Sequence, residues 1–419
     1  MAVILVNTGG FGERIKKEVE RLGKIEVVLV SDNKRERRKN LLAKSIIHSM
    51  ASGLSRTEHS ADYSITGPGV FSKWEVLKEK ISLKLADLLE EDKSLSFVEK
   101  SVESVVVSKG SVLIDGEEHV PEFVVVLESG VDKSGINLDN LYTRLLKKEI
   151  LPKKWAILGE GPRTVEAASM LADLGCKVYL ISKFPTLLPN EETNLQENIT
   201  ALLNNKGVSL FLGASVVVNR YADGNISVDV KESGNQTHHF EEIEQCLRDE
   251  EYTLTESVQA AQSAGDGSMQ HISITNPVNT RGISEMEVLR IIGGSQKIEL
   301  GQMLISPLFI YTTPAAATVG YTETSAKSSK KIRVVNPKFR GLFYSVCKTK
   351  IPTDYKLVIE TEATDFAKKE KVIGLHLFGD GSIDVIKGFA IAMYDGLTPE
   401  ELLKTIPIHP TSSEEVITG

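Results

Sequence analysis

Apolar runs of four to six residues recur along this chain, separated by glycine-bearing turns and by longer segments with helical spacing. Ala2–Val6 reads as a short buried strand. Glu13–Leu22 follows with Ile15, Val19 and Leu22 at helical spacing, and residues 25–30 form a second apolar strand. Strands are predicted again around Val105–Val107, Val112–Ile114 and Phe123–Leu127, with Asp115-Gly116 as a turn. Pro152 opens a second unit: strand Trp155–Leu158, a helix ending near Gly175, strand Lys177–Ile181, helix Asn194–Lys206 and strand Val208–Leu212. Val216–Val218 and Ile226–Val230 read as a meander. Glu241–Glu251 is an acidic run, read as a solvated loop or helix that continues into a polar stretch. Among the later segments, Val372–Phe378 and Gly388–Met393 are apolar.

Strand, glycine turn, helix and strand in succession predict dinucleotide-binding units of the Rossmann type, and this pattern occurs twice. The second turn is the better fingerprint. Gly159-Glu160-Gly161 permits a tight turn and close backbone approach, and Lys183 follows the second strand. The first turn, Thr8-Gly9-Gly10-Phe11-Gly12-Glu13, places a carboxylate near where a pyrophosphate would sit.

Composition narrows the classes. With 41% hydrophobic and 25% charged residues, the chain is an ordinary globular one. Its net charge of −8 argues against a dedicated nucleic-acid binder. Cys176, Cys246 and Cys347 are scattered and form no motif, which suits a reducing compartment. The N-terminus lacks a basic region and a long apolar run, and no segment approaches membrane-span length, so a cytoplasmic location is expected. Two basic stretches depart from the average. Lys34, Arg35, Arg37, Arg38, Lys39 and Lys44 cluster against one acid, Glu36. Lys327, Lys330, Lys331, Arg333, Lys338 and Arg340 lie in a stretch without acids. Together they suggest a surface for an extended anionic partner.

The end of the chain, residues 405–415, carries His409-Pro410 and then Glu414, so the carboxylate can fold back on the imidazole. That tail, the Gly159 turn and the segment 313–323 resemble the glutathione reductase and dihydrolipoamide dehydrogenase family. The resemblance implies two Rossmann-like dinucleotide-binding domains plus an α+β interface domain, an α/β architecture. It places an FAD-binding-like domain at 1–150 and 283–305, an NAD(P)-binding-like domain at 151–282, and a dimerisation-like domain at 306–419. In that family the His–Glu pair reaches across a dimer and serves a redox disulfide beside a flavin.

Departures are also legible. The family's cysteine pair would lie after the second strand, where this chain has the basic run from Lys34. Glu128-Ser129-Gly130 stands in place of Ala-Thr-Gly, and Gly294 in place of the flavin Asp; Asp32 is close to the family's acidic ribose ligand. Pro162 and Thr164 replace family residues of the second turn. The expectation drawn from these losses is a chain without catalytic residues or a bound cofactor, not an enzyme. His409 and Glu414 are then a structural or interface contact, and the basic stretches bind ribosomal RNA or another ribonucleoprotein. The alternative is a residual NAD(P)H-binding sensor or weak oxidoreductase using Gly159, Gly161 and Lys183. A homodimer through the C-terminal domain fits either. His238 and His239 are read as surface residues.

Overall fold

The computed structural model describes residues 2–6, 26–31, 34–57, 59–63, 74–91, 100–101, 105–108, 111–114, 117–119, 123–127, 141–221, 226–232, 236–248, 270–274, 307–349, 351–364 and 367–418. The chain forms two compact units. One gathers Met1–Ile46, Val76–Lys148 and Glu250–Met303, the other Ile47–Glu75, Glu149–Asp249 and Leu304–Gly419.

In the first unit, β1 (Ala2–Val6), β2 (Glu26–Ser31), β3 (Lys100–Ser101), β7 (Phe123–Leu127) and β15 (Gln270–Ile274) make a parallel sheet in the order β15-β7-β1-β2-β3. The near-continuous apolar runs of β1 and β7 are what parallel strands require. A separate antiparallel sheet joins β4 (Val105–Ser108), β5 (Ser111–Ile114) and β6 (Glu117–His119). Helix α1 (Lys34–Thr57), whose residues up to Ile46 belong to this unit and whose remainder belongs to the other, carries the first basic run; Ala43, Ile47 and Ala51 are buried one turn apart along it. Helix α2 (Trp74–Glu91) buries Trp74, Leu77, Ile81 and Leu85, and α3 (Leu141–Lys147) buries Leu141, Tyr142 and Leu145.

The second unit begins with β8 (Lys154–Leu158), α4 (Pro162–Asp173), β9 (Lys177–Ser182), α5 (Thr193–Asn205) and β10 (Ser209–Leu212). With β14 (Gln245–Arg248) these strands form a parallel sheet, β10-β9-β8-β14. The meander is β11 (Ser215–Arg220), β12 (Ile226–Lys231) and β13 (Thr237–Ile243). The acidic run read as a loop or helix is therefore partly strand. Its charges alternate with Ile243, Cys246 and Leu247, all buried, and that apolar set pays for the strand pairing. The polar stretch beyond it lies outside the described residues.

The remaining sheet is antiparallel, β16-β17-β21-β20-β18, with a short β19 (Lys338–Phe339) on β20. Its strands are β16 (Leu308–Ile310), β17 (Ala316–Gly320), β18 (Ile332–Val335), β20 (Thr353–Thr364) and β21 (Ala367–Phe378). Around it lie α6 (Glu323–Lys327), α7 (Leu342–Ser345), α8 (Ser382–Tyr394), α9 (Pro399–Lys404) and α10 (Glu414–Thr418). Leu357, Leu375, Leu377, Ile386, Ala390 and Met393 build its core. Gly320 and Gly374 face one another across β17 and β21. A Cβ at Gly374 would lie 2.0 Å from the Tyr321 carbonyl oxygen, so only glycine allows that approach.

Two polar networks tie α5 to this sheet. Glu192, at the N-cap of α5, accepts from Lys356 of β20 at 2.8 Å and from the Glu323 amide at 2.7 Å. Asp354, 2% exposed, accepts from the amides of Asn194 and Asn198 at 2.9 Å each, and from Asn336 at 2.6 Å. Such buried charges persist only where partners surround them. The fold is the α/β architecture with a C-terminal antiparallel domain that the resemblance implied.

Candidate functional site

The β8–α4 turn sits at the carboxyl end of a parallel strand, where α/β sheets bind ligands. Gly159 has φ +143°, a conformation that disfavours any side chain. Its amide donates to the Ile181 carbonyl of β9 at 3.0 Å. Gly161 is the N-cap of α4 and contributes no side-chain cap, and Pro162 stands at the first turn without a donor. The remaining amides and the helix dipole favour an anion there. Buried Thr164 begins the packed face of the helix. Glu160 does not sit wholly free above this turn: the Ser182 hydroxyl donates to its carboxylate at 3.4 Å, which draws charge toward β9. Lys183, next in sequence, has its ammonium 5.2 Å from the Phe184 ring. The turn and the end of β9 thus bring Gly159, Gly161 and Lys183 to the same edge of one sheet. Glycine turn, helix start and lysine fit the pyrophosphate and adenosine side of a nicotinamide dinucleotide. Glu160 is the one discordant charge.

Sequence reading missed two features beside this turn. Leu188 has φ +54° although it is not glycine, and its amide donates to the Glu160 carbonyl at 2.9 Å. The backbone strain is held by burial of Leu188 and fixes the far wall of the turn. Three residues on, burial pushes the Glu191 carboxyl up to about 7. No motif marks either; only the return of residues 184–192 past the turn reveals them. Glu166, inside α4 and buried, accepts from the Tyr311 amide at 2.9 Å and so locks the helix to the segment entering the C-terminal sheet.

At the tail, His409 Nδ1 lies 2.9 Å and 3.1 Å from the two Glu414 oxygens, as the spacing predicted. The His409 side chain is 81% exposed. Ile391, Tyr394, Leu403, Ile406 and Ile408 are exposed on α8, α9 and the tail.

The basic stretches fare differently. Lys39 and Lys44 are half-buried in α1, and the side chains of Lys34, Arg35, Arg37 and Arg38 lie outside the described residues. In the second stretch, carboxylates distant in sequence meet the cations. Lys330 pairs with Glu360 at 2.7 Å, Arg333 grips Glu370 with two bonds of 2.8 Å, and Lys338 lies 3.2 Å from Asp354. Lys327 pairs with Glu323. Lys331 and Arg340 are exposed. Pairing across strands cancels much of a field that looked purely positive in sequence. His239 bonds Asp229 and lies 3.3 Å from Glu241, while His238 packs on Phe211 and Phe240. The positions carrying the expected flavin losses, Thr8–Glu13, Asp32, Glu128–Gly130 and Gly293-Gly294, lie outside the described residues.

Residues 24–244 match the pyridine nucleotide-disulphide oxidoreductases, and residues 306–418 match the dimerisation domain of the same family. The chain belongs to the pyridine nucleotide-disulphide oxidoreductase family. It is 24% identical over 331 residues to the glutathione reductase of Yarrowia lipolytica, spanning 72% of this chain and 67% of the relative. It is 26% identical over 340 residues to that of Schizosaccharomyces pombe, spanning 73% and 68%. With the glutathione reductase of Debaryomyces hansenii it shares 26% over 306 residues, 64% of this chain and 59% of the relative. These matches overturn the expectation of a non-enzyme. Oxidoreductase domains cover both halves of the chain and the relatives are enzymes, so replaced residues within single motifs do not outweigh the family as a whole. Among the described residues, no helix is long and apolar enough to cross a membrane.

Proposed function

We propose that this chain is an NAD(P)H-dependent oxidoreductase that works as a homodimer without the family's redox-active cysteine pair. The observation that carries this reading is the β8–α4 turn: Gly159 in a conformation suited to glycine, directly before a helix start with no side-chain cap. A nicotinamide dinucleotide, when bound, supplies a hydride. The chain's own residues bind and orient it. The amides at the start of α4 hold the pyrophosphate, and Gly159 lets the backbone approach. Lys183 meets a 2′-phosphate, which selects the phosphorylated form.

The cysteines support a route without an internal disulfide. All three are free thiols, and burial pushes Cys176 up to about 12, which keeps it an unreactive thiol. His409 is held at Nδ1 by Glu414, and its side chain is 81% exposed. In a dimer it serves as a proton donor at a substrate bound by the partner subunit. The exposed Ile391, Tyr394, Leu403, Ile406 and Ile408 supply the apolar surface that dimerisation would cover.

Thermal melts with NADPH and NADH test the core of the proposal. NADPH raises the midpoint more than NADH does, and Lys183→Glu removes the difference. Equal melts with and without either nucleotide would rule the reading out.

A further inference from the structure

Away from the dinucleotide turn, three donor side chains meet that the redox proposal does not use. His59 immediately precedes the short 3-10 turn Ser60–Tyr63 that follows α1, Asp62 lies within that turn, and Cys347 lies just past α7. Their ligand atoms, one nitrogen, one carboxylate oxygen and one sulfur, all lie within 4.8 Å of one another. His59 Nδ1 is 3.7 Å from Asp62 Oδ2, too long for a hydrogen bond. The turn sets their approach, since the Asp62 amide donates to the His59 carbonyl at 3.0 Å, and leaves the two side chains unbridged by a direct hydrogen bond. A tetrahedral zinc ion, with nitrogen and oxygen near 2.0–2.1 Å and sulfur near 2.3 Å, sets donor separations of about 3.4 Å and about 3.6 Å. The observed cluster is at that spacing or within roughly an ångström of it.

The surroundings fix each donor. Asp62 Oδ2 accepts from the Lys348 amide at 3.0 Å, which locks the carboxylate beside Cys347. The His59 ring stands edge-on to Phe343 and Tyr344, with centroids 6.0 Å and 5.9 Å away. The Tyr63 hydroxyl donates to the Phe343 carbonyl. Arg56, the nearby cation, lies over the Phe343 ring and is paired with Asp380 at 3.0 Å, so its charge is engaged elsewhere. Supporting contacts of this kind hold metal ligands in place. Cys347 is fully buried, whereas His59 keeps 15% exposure, which gives an ion a way in.

We infer that His59, Asp62 and Cys347 bind one zinc-class divalent ion. One thiolate, one imidazole and one carboxylate select a borderline-soft ion over magnesium or calcium. Three protein ligands leave a fourth position for water. The Cys347 thiol donates to the Phe343 carbonyl at 3.2 Å. Binding replaces that bond with a metal–sulfur bond and releases the thiol proton to solvent.

The test is a cobalt(II) titration of the full chain after chelator treatment, followed by absorbance and by proton release in weak buffer. The expected result is one equivalent bound, a near-ultraviolet thiolate-to-cobalt band, and its loss on adding zinc. Cys347→Ser abolishes the band, His59→Ala weakens binding at least tenfold, and Cys246→Ser changes neither. If Cys347→Ser fails to fold, His59→Ala and Asp62→Asn decide through affinity alone. A missing band, a band that survives Cys347→Ser, or unchanged affinity in both ligand variants would overturn the site. None of these readouts depends on enzymatic activity.

Discussion

Lys356→Met should be among the most damaging single substitutions in the second unit. The ammonium of Lys356 lies 2.8 Å from Glu192 and 2.6 Å from Glu323, and its side chain is 10% exposed. Glu192 is 1% exposed. Burial alone would lift the Glu192 carboxyl, yet Lys356, the Glu323 amide and His376 outweigh it and hold it below the usual carboxylate range. Methionine keeps the apolar stem of the lysine and removes only the charge. Glu323 retains Lys327, so the loss falls on Glu192, left ionised and poorly compensated. Removing one partner of a buried pair costs about 3–5 kcal/mol. For a cooperative unit of this size that lowers the melting midpoint on the order of 10 °C.

Urea denaturation followed through the fluorescence of fully buried Trp155 measures the loss. The double variant Glu192→Gln with Lys356→Met should recover most of it, because two neutral groups replace a broken pair. A Lys356→Met protein within about 1 kcal/mol of wild type would refute the account, since no surface ion pair is worth more than that. A double variant as unstable as the single would refute it differently, by showing that shape rather than charge was lost.

Other expectations follow from single contacts. Gly374→Ala should cost about 3 kcal/mol or more, seen as a lowered urea midpoint, because its Cβ meets the Tyr321 carbonyl oxygen at 2.0 Å. Glu191 is protonated in the folded chain up to about pH 7, whereas an unfolded glutamate ionises near 4.3. Its contribution is present below pH 4.3 and is lost as pH rises through 7; Glu191→Gln should therefore stabilise the protein at pH 8 and leave it unchanged at pH 4, by thermal melts. Ile391→Glu with Ile408→Glu should shift the sedimentation coefficient from dimer to monomer. His409→Gln should lower turnover at least tenfold while leaving NADPH binding intact in titration calorimetry.

What could be read from the sequence followed one rule: local patterns were legible and encounters between distant residues were not. The β8–α4–β9 unit was visible because its apolar runs, its glycines and its helix spacing all lie within thirty residues. The bond between His409 and Glu414 was visible for the same reason, with five residues separating them. By contrast, nothing near Arg333 announces that Glu370 will grip it, because the hairpin of β20 and β21 creates that neighbour. The basic stretch therefore looked like a surface for phosphates when folding turns much of it into a set of cross-strand pairs. The acidic run after Glu241 shows the opposite case: its charges hid a buried strand that the apolar positions between them had specified. Both readings weigh charge by sequence neighbourhood, whereas a fold weighs it by spatial neighbourhood. The same logic applies to the losses that suggested a chain without activity. A motif residue judged alone counts as a loss, yet the pairing of Glu192 with Lys356 and of Asp354 with Asn194 and Asn198 shows side chains from α5 and β20 still holding buried charges together. Buried charges are costly without partners. Here the partners are supplied from two elements, so the contacts tie α5 to β20 of the antiparallel sheet and make that junction costly to disturb.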